Sequence, residues 1–465
     1  MKTNKENFIL LTDSYKECHH GQYPEGTENV YSYFESRNGA KYPYTVFFGL
    51  QIYLKRYFEG VVVTQEDVEE ADTFCKGHFG MDIFNRKMWE RIVNVHGGKL
   101  PLRIKAAPEG LAVPINNVMV TVETTDPECA PLTNVIETVL THIWHSSNVA
   151  TISRDLRVYI QKAFEKSADT LNLLPFMLHC FGFRGVSSVE SAGLGGSGHL
   201  VNFMGTDTII AITYAQRYYG AKMVGFSVPA TEHSVMTSLG EEGEIEMVDR
   251  LIEKYPKGIL SVVSDSYNIK RAIKNYGTIL KNKILSRDGK FVVRPDSPRF
   301  KGDTPCDQIV WIAQELETYF GITFNKKGYK VLNPKVGIIY GDGLSVEEIK
   351  ESIDSLLYHG YSAETCVYGL GGGLLQRHTR DLQRNAFKCS AQFRNGKWID
   401  VHKTPLDISK TSKKGRLKLV WNKGTLITVP IMDEREDVLQ LVFENGIIVK
   451  EYNWEEVKKN ALIEI

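Results

Sequence analysis

From about residue 177 the chain repeats one unit: a short unbroken apolar run ends in glycine or a polar residue, and a helical stretch usually follows. The runs are Met177–Phe183, His199–Phe203, Met223–Val228, Leu260–Val263, Phe291–Val293, Val336–Tyr340 and Cys366–Tyr368. A strand with one wet face alternates apolar and polar residues, so a continuous apolar run needs cover on both faces. Such strands alternating with helices predict a parallel sheet. About seven units in one stretch predict an irregular or incomplete parallel β/α barrel over residues 166–384. Ser345 and Glu348 form a capping box that opens one of its helices.

The flanking segments read differently. Val30–Phe34 alternates like a half-buried strand, and 99–106 and 111–124 are Val- and Ile-rich runs bounded by Pro and Gly. Residues 45–58, 65–78 and 132–165 read as helices, the last with a break. Asn395-Gly396 and Asn445-Gly446 each sit between strand-like runs and predict tight hairpins. A helix near 454–461 closes the chain. The predicted class is therefore α/β: the irregular barrel plus a second, discontinuous α+β domain built from 1–165 and 385–465.

Composition narrows the function. The chain carries 56 Lys+Arg against 56 Asp+Glu, a formal charge of zero. A nucleic-acid binder usually needs a basic surplus, so no nucleic-acid partner is expected, while a local basic pocket remains open. The 7 cysteines include no Cys-x-x-Cys pair, and such a sparse, odd set fits reduced thiols in a cytoplasmic protein. The N-terminal apolar run is too short for a signal peptide. Nothing approaches the ~18 apolar residues of a membrane helix, so no membrane partner is expected.

In a parallel barrel the active site lies at the C-terminal strand ends. Those ends carry Arg184, Asp207, His233, Asp265, Arg294 with Asp296, Gly341 with Asp342, and Gly369–Gly373. Each has an ordinary explanation alone: an Asp after a strand caps a helix, and a glycine run makes a turn. Together they put cations, carboxylates and bare backbone on one rim, which suits a phosphorylated sugar. Gly193–Gly198 matches G-x-G-x-x-G, but it follows the polar Ser187–Ser191 instead of a strand, with no acid about 20 residues on. Close helix–strand packing explains it better than a dinucleotide site. The basic run Lys410–Arg416 reads either as a solvated loop or as a mobile phosphate-capturing one. No His-Glu-x-x-His motif and no Cys/His set with zinc spacing is present.

These residues carry a resemblance. Thr12-Asp-Ser-Tyr-Lys16, Phe181-Gly-Phe-Arg-Gly185, Glu232-His-Ser234, Ser264-Asp-Ser-Tyr267, Arg294-Pro-Asp-Ser297, Gly341-Asp-Gly343 and Gly371-Gly-Gly-Leu-Leu-Gln376 closely resemble the nicotinamide phosphoribosyltransferase family, of the type II phosphoribosyltransferase class. The match runs in consistent order from about residue 8 to the C-terminus. The resemblance implies transfer of the phosphoribosyl group of phosphoribosyl pyrophosphate to nicotinamide in NAD salvage, giving nicotinamide mononucleotide and pyrophosphate. It implies a homodimer with shared sites, Mg²⁺, and ATP as a coupling substrate that phosphorylates His233.

By the same resemblance, Phe181 stacks on the pyridine ring, with Tyr15 of a second subunit opposite and Asp13 nearby. Asp207 accepts from the carboxamide. Arg184, His233 and Arg294 contact the diphosphate. Arg294, Asp296, Gly341 and Asp342 hold the ribose. Gly371, Gly372 and Arg380 hold its phosphate, with Lys388 nearby. Asp265 orients His233 or, with Asp296, serves Mg²⁺; His233, Asp265 and Asp296 form the catalytic group. Two departures stand out: Pro298-Arg-Phe-Lys301 where a glycine and a shorter loop are expected, and Leu370 in place of a small polar residue. The rival readings are a nicotinate phosphoribosyltransferase and a catalytically silent ligand-binding protein on the same fold. An aspartate at 207 repels a carboxylate substrate and accepts from an amide, which favours nicotinamide.

Overall fold

The structure is a computed structural model and describes residues 6–298, 300, 302–341, 343–404, 406 and 411–463. Asp342, Arg299, Lys301 and Lys410 lie outside the described residues. Among the described residues no helix is long and apolar enough to cross a membrane. The chain forms two compact units. One comprises Met1–Thr151, Tyr214–Ala221 and Thr379–Ile465, and the other Ile152–Thr213 and Lys222–His378.

The first unit is built on a seven-stranded sheet whose pairs are antiparallel. Its order is Lys397–Asp400, Ala386–Arg394, Thr27–Glu35, Val118–Thr124, Leu102–Ala106, Gln440–Glu444 and Ile447–Ile448. The first and last thirds of the chain thus share one sheet, with Val30, Phe34, Ile104, Val120 and Phe443 buried in its core. Both Asn-Gly pairs turn hairpins: φ is 50° and 75° at Asn395 and Gly396, and 51° and 79° at Asn445 and Gly446. Positive φ at both central residues matches the right-handed strand twist. Helices Gln65–Phe79 and Trp454–Ala461 stand at or close to their predicted places, and a further helix, Arg86–His96, lies between the expected elements.

The helix expected over 45–58 starts only at Leu50, after a short strand, Tyr44–Val46. Glu109 sets that start. Its buried carboxylate accepts from Gly49 N at 2.6 Å, Gln51 N at 2.8 Å and the Tyr219 hydroxyl at 3.1 Å. Those bonds satisfy amides that the first turn leaves without partners. Gly49 itself has φ 103°, and a Cβ there would lie 2.2 Å from Ser146 Oγ. Elsewhere in the same unit, His96, Asp126 and Cys129 bring ligand-type atoms within 4.8 Å of one another, a grouping that sequence spacing does not reveal. Arg91 Nε and His96 Nε2 both sit 2.6 Å from the same Asp126 oxygen, so the carboxylate is already matched by a cation.

The second unit holds a six-stranded parallel sheet that curls into an open half-barrel. Its order is Gly205–Thr206, Leu178–Cys180, Cys366–Leu370, Val336–Tyr340, Asp288–Arg294 and Lys257–Val263. Val336–Tyr340 is buried at every position, as a strand covered on both faces must be. Ser345 Oγ accepts from Glu348 N at 3.2 Å and Glu348 Oε2 accepts from Ser345 N at 2.7 Å, so the capping box is complete.

Two apolar runs behave differently from expectation. His199–Phe203 is not a strand: His199 and Leu200 end the helix Val189–Leu200, and a turn follows. Met223–Val228 contributes only a bridge from Phe226 to Gly205. The glycines of 193–198 lie in that helix, where a Cβ on Gly196 would come within 2.6 Å of Ala211 Cβ on the next helix. Gly196 thus serves helix–helix contact, not the helix–strand contact expected.

One acidic group in the first unit stands without compensation. Glu17 is 6 % exposed and its Oε1 has no hydrogen-bond partner. Burial pushes its carboxyl up to about 7, because a low-polarity surrounding disfavours the charged form. In the unfolded chain it titrates near the ordinary glutamate value. Between those values the folded state holds a proton that the unfolded state releases, so stability falls as pH rises through that window and levels off above it. Glu17→Gln is expected to be more stable than the parent at pH 8 by about 1–3 kcal/mol and indistinguishable from it near pH 4. Urea unfolding at the two pH values checks this; an equal difference at both would exclude the titration.

Candidate active site

The parallel strands end on one rim, and there a cavity of about 830 Å³ opens. Phe181, Arg184, Asp207, His233, Arg294, Asp296, Gly341 and Gly371 all line it. Seven residues expected from the strand ends, and Phe181 expected from the resemblance, therefore meet in one place. Phe181 follows Leu178–Cys180, and its amide donates to Leu370 O at 3.1 Å. Its ring lies against bare backbone: a Cβ on Gly369 would sit 2.0 Å from Phe181 Cε2, and one on Gly341 2.8 Å. Two strand-end glycines thus make room for one aromatic face. Arg184 stands in the turn Phe183–Gly185. Gly371 and Gly372 open the helical turn Gly372–Leu375.

Several of the charged groups are partly anchored. Asp207 N donates to Cys180 O at 3.0 Å, and Asp207 Oδ1 accepts from Ser227 Oγ at 2.5 Å. Arg294 gives Nη2 to Thr231 O at 2.5 Å, while its buried Nε has no partner. His233 begins the short helix His233–Met236. Its Nδ1 is 3.2 Å from Ser266 Oγ and its Nε2 3.5 Å from Asp296 Oδ2.

Asp265 departs from its expected orientation toward His233. Its Oδ2 accepts from Asp296 N at 2.8 Å and Ser297 Oγ at 2.5 Å, which fixes the turn after Asp288–Arg294. The carboxylate beside the imidazole is Asp296. The other Asp265 oxygen is buried without a partner, and an orphaned buried carboxylate oxygen of this kind suits a hard cation such as Mg²⁺.

Tyr15 and Lys388 line a different cavity, of about 460 Å³, in the first unit with Lys16, His19, Asn134 and Glu137. Tyr15 is 58 % exposed. Lys16 pairs with Glu137 at 2.6 Å. Lys388 gives its ammonium to Phe387 O at 2.7 Å, and burial lowers its pKa. Asp13 and Arg380 belong to the same unit. Asp13 Oδ2 accepts from Thr138 Oγ1 at 2.8 Å, and Arg380 Nη1 donates to Asn385 O at 3.0 Å. The described part of the basic run 410–416 is engaged internally: Lys413 pairs with Glu35, and Arg416 stacks on Trp398 at 4.6 Å.

Sequence reasoning missed the supporting hydroxyls Ser227, Ser266 and Ser297 and the carbonyl of Thr231. Ser266 and Ser297 lie inside quoted motifs and Thr231 borders one, but nothing in the pattern assigns their partners.

Residues 176–447 match the family model described as the nicotinate phosphoribosyltransferase (NAPRTase) family, and residues 7–104 match the nicotinamide phosphoribosyltransferase N-terminal domain. The nicotinamide phosphoribosyltransferase of Xanthomonas campestris pv. campestris (strain 8004) is 41% identical, over 98% of each chain. That of Acinetobacter baylyi is 34% identical, over 97% of this chain and 96% of its own. Among solved structures, the nicotinate-nucleotide pyrophosphorylase of Pyrococcus furiosus superposes with a TM-score of 0.62 at 16% identity, covering 99% of this chain and 96% of its own. Human nicotinic acid phosphoribosyltransferase gives 0.58 at 14% identity, with 97% and 93% coverage. These two share the fold.

The seat of Phe181 yields a direct test. Gly369→Ala must displace the ring, because the clash falls on an aromatic edge held by its own backbone. Nicotinamide affinity measured by calorimetry is expected to fall by about tenfold or more, the equivalent of ~1.4 kcal/mol, with a cooperative thermal transition retained. Unchanged affinity would show that the ring position does not matter.

Proposed function

The chain belongs to the nicotinamide phosphoribosyltransferase family, and we propose that the cavity rimmed by Phe181, Asp207, Arg184 and Arg294 is where its reaction runs. It transfers the phosphoribosyl group of phosphoribosyl pyrophosphate to nicotinamide, giving nicotinamide mononucleotide and pyrophosphate, in NAD salvage. The observation that carries the site assignment is the joint lining: an aromatic face seated on glycine backbone, a carboxylate and two guanidinium groups share one opening.

In this reading Phe181 covers one face of the pyridine ring and Asp207 accepts from the carboxamide NH₂. The pyridine nitrogen attacks with a lone pair and carries no proton, so no general base is needed. The barrier lies in expelling pyrophosphate and in the positive charge at the anomeric carbon. Arg184 and Arg294 face the leaving group; cations pre-placed where charge develops give the electrostatic stabilisation that is often the largest catalytic term. The unpartnered Arg294 Nε supports that role. Gly341 and Asp296 hold the ribose, and the backbone of Gly371 and Gly372 the phosphate. Mg²⁺, when bound, supplies neutralisation of the departing diphosphate; Asp265 through its free oxygen, with Asp296, would hold it.

His233 carries ATP coupling. Imidazole is nucleophilic when neutral, and a carboxylate at one nitrogen fixes the tautomer. Asp296 is the carboxylate within reach. The test compares products from nicotinamide and nicotinate in competition, with and without ATP, by mass spectrometry. Nicotinamide mononucleotide is expected in excess; a predominant nicotinate product would overturn the assignment. His233→Ala is expected to abolish ATP hydrolysis and ATP stimulation while slow ATP-independent synthesis persists. Continued ATP hydrolysis by the purified variant would remove the coupling role.

The working form is a homodimer with shared sites, in the cytoplasm, where its free thiols stay reduced. What supports sharing is that Tyr15 and Lys388 line a cavity of the first unit, and neither is among the residues lining the Phe181 cavity. Mixed dimers of Tyr15→Ala and Arg184→Ala chains, each inactive alone, are expected to regain part of the activity. Verified heterodimers without activity would exclude sharing.

A further inference from the structure

We infer that Ser227 is a positioning residue for nicotinamide: it holds the Asp207 carboxylate so that one oxygen is spent and the other is presented to the carboxamide. The inference rests on Asp207 being the carboxamide acceptor, as proposed above.

The two residues leave neighbouring segments side by side. Asp207 directly follows the strand Gly205–Thr206, and Ser227 directly follows Phe226. Those segments run in parallel register: Gly205 bridges Phe226, Phe226 N donates to Met204 O at 2.7 Å, and Thr206 N donates to Phe226 O at 3.0 Å. The serine is therefore delivered by backbone pairing and not by loop chance. Asp207 is fixed at its own backbone by the bond from its amide to Cys180 O at 3.0 Å, and Cys180 immediately precedes Phe181. The carboxylate and the ring that stacks on the substrate thus share one anchor.

What this backbone does not fix is the carboxylate plane. The terminal torsion of an aspartate is broad and nearly two-fold, so an unassisted carboxylate turns freely. Ser227 Oγ at 2.5 Å from Asp207 Oδ1 removes that freedom. A hydroxyl has one proton to donate; giving it to Oδ1 leaves Oδ2 as an acceptor in the cavity that Asp207 lines. Because a carboxylate accepts and does not donate, the arrangement rewards an NH₂ group and offers nothing to a second carboxylate. The gain is preorganisation: the acceptor is placed before the ligand arrives, so less rotational freedom is lost on binding.

Ser227 touches Asp207 and not the reacting atoms, so its loss should weaken ground-state recognition of one substrate only. Steady-state kinetics of the full-length enzyme provide the test. Ser227→Ala is expected to raise the KM for nicotinamide by about three- to tenfold, the range of a typical net hydrogen-bond contribution, since the hydroxyl orients the acceptor and does not itself contact the ligand. The kcat and the KM for phosphoribosyl pyrophosphate stay within about twofold, since uniform binding of one substrate is what is removed. Ser227→Thr, which keeps the hydroxyl, restores the parent KM. In an Asp207→Ala background, Ser227→Ala adds nothing further. If Asp207→Ala raises the nicotinamide KM and Ser227→Ala does not, the positioning role is overturned while the acceptor role stands. If neither changes it, the acceptor reading falls and the positioning role with it. A Ser227→Ala loss spread equally over both substrates, or one that Thr fails to rescue, also overturns it.

Discussion

Every strand of a parallel sheet finishes on the same edge, and the site depends on that geometry before it depends on any one side chain. Phe181, Asp207, Arg294, Gly341 and Gly371 come from segments far apart in sequence, yet each lies at or just beyond the end of a strand of one ladder. Their Cα positions are therefore set by backbone hydrogen bonds deep in a covered sheet. The Phe181 ring is placed to the same standard, since Gly369 and Gly341 give it a floor with no side chain. Substitution at either glycine would act on the ring without touching the ligand, which is how close packing transmits small shifts.

Three of the charged residues share a second regularity: each is held at one atom and free at another. Arg294 is tied to the Thr231 carbonyl while its Nε lacks a partner, and Asp265 spends one oxygen on the Asp296–Ser297 turn while the other is orphaned. Asp207 gives one oxygen to Ser227. The contrast within the molecule is Asp126, where Arg91 and His96 crowd one oxygen and Glu128 N takes the other. A fully engaged carboxylate stabilises a fold; a half-engaged one is prepared for a ligand. A displacement in which the nucleophile brings no proton needs stationary charges more than proton carriers, and half-anchored groups supply them with little reorganisation.

Much of this was legible in the sequence because it follows from period and position. Continuous apolar runs gave away the parallel sheet, the Asn-Gly pairs gave the hairpins, and residues just past strand ends gave the cavity lining. The failures have equally physical causes. A short apolar run has no period to separate strand from helix, so His199–Phe203 has the pattern of a strand although helix–helix contact at Gly196 claims the segment before it. Of the two readings of Asp265, orienting His233 or serving Mg²⁺, the first does not hold, because a carboxylate after a strand can cap its neighbour's turn as readily as it can face an imidazole. The serines that orient the site were invisible, since a hydroxyl's partner is decided by tertiary proximity and serine is common everywhere.

The residues outside the half-barrel pose a physical question of their own. Tyr15 exposes more than half of its surface, and Lys388 is buried enough for its charge to be disfavoured. An exposed aromatic and a desolvated cation beside one open cavity are a costly surface for a chain that works alone. The same pair is well suited to close over a flat ring and a phosphate, because an aromatic face and a dehydrated ammonium both gain when water leaves. Association would therefore relieve an unfavourable surface and complete a recognition site in one step. On this argument the strongest pressure toward the proposed homodimer would come from the chemistry of the cavity at Tyr15 and Lys388, not from bulk apolar area.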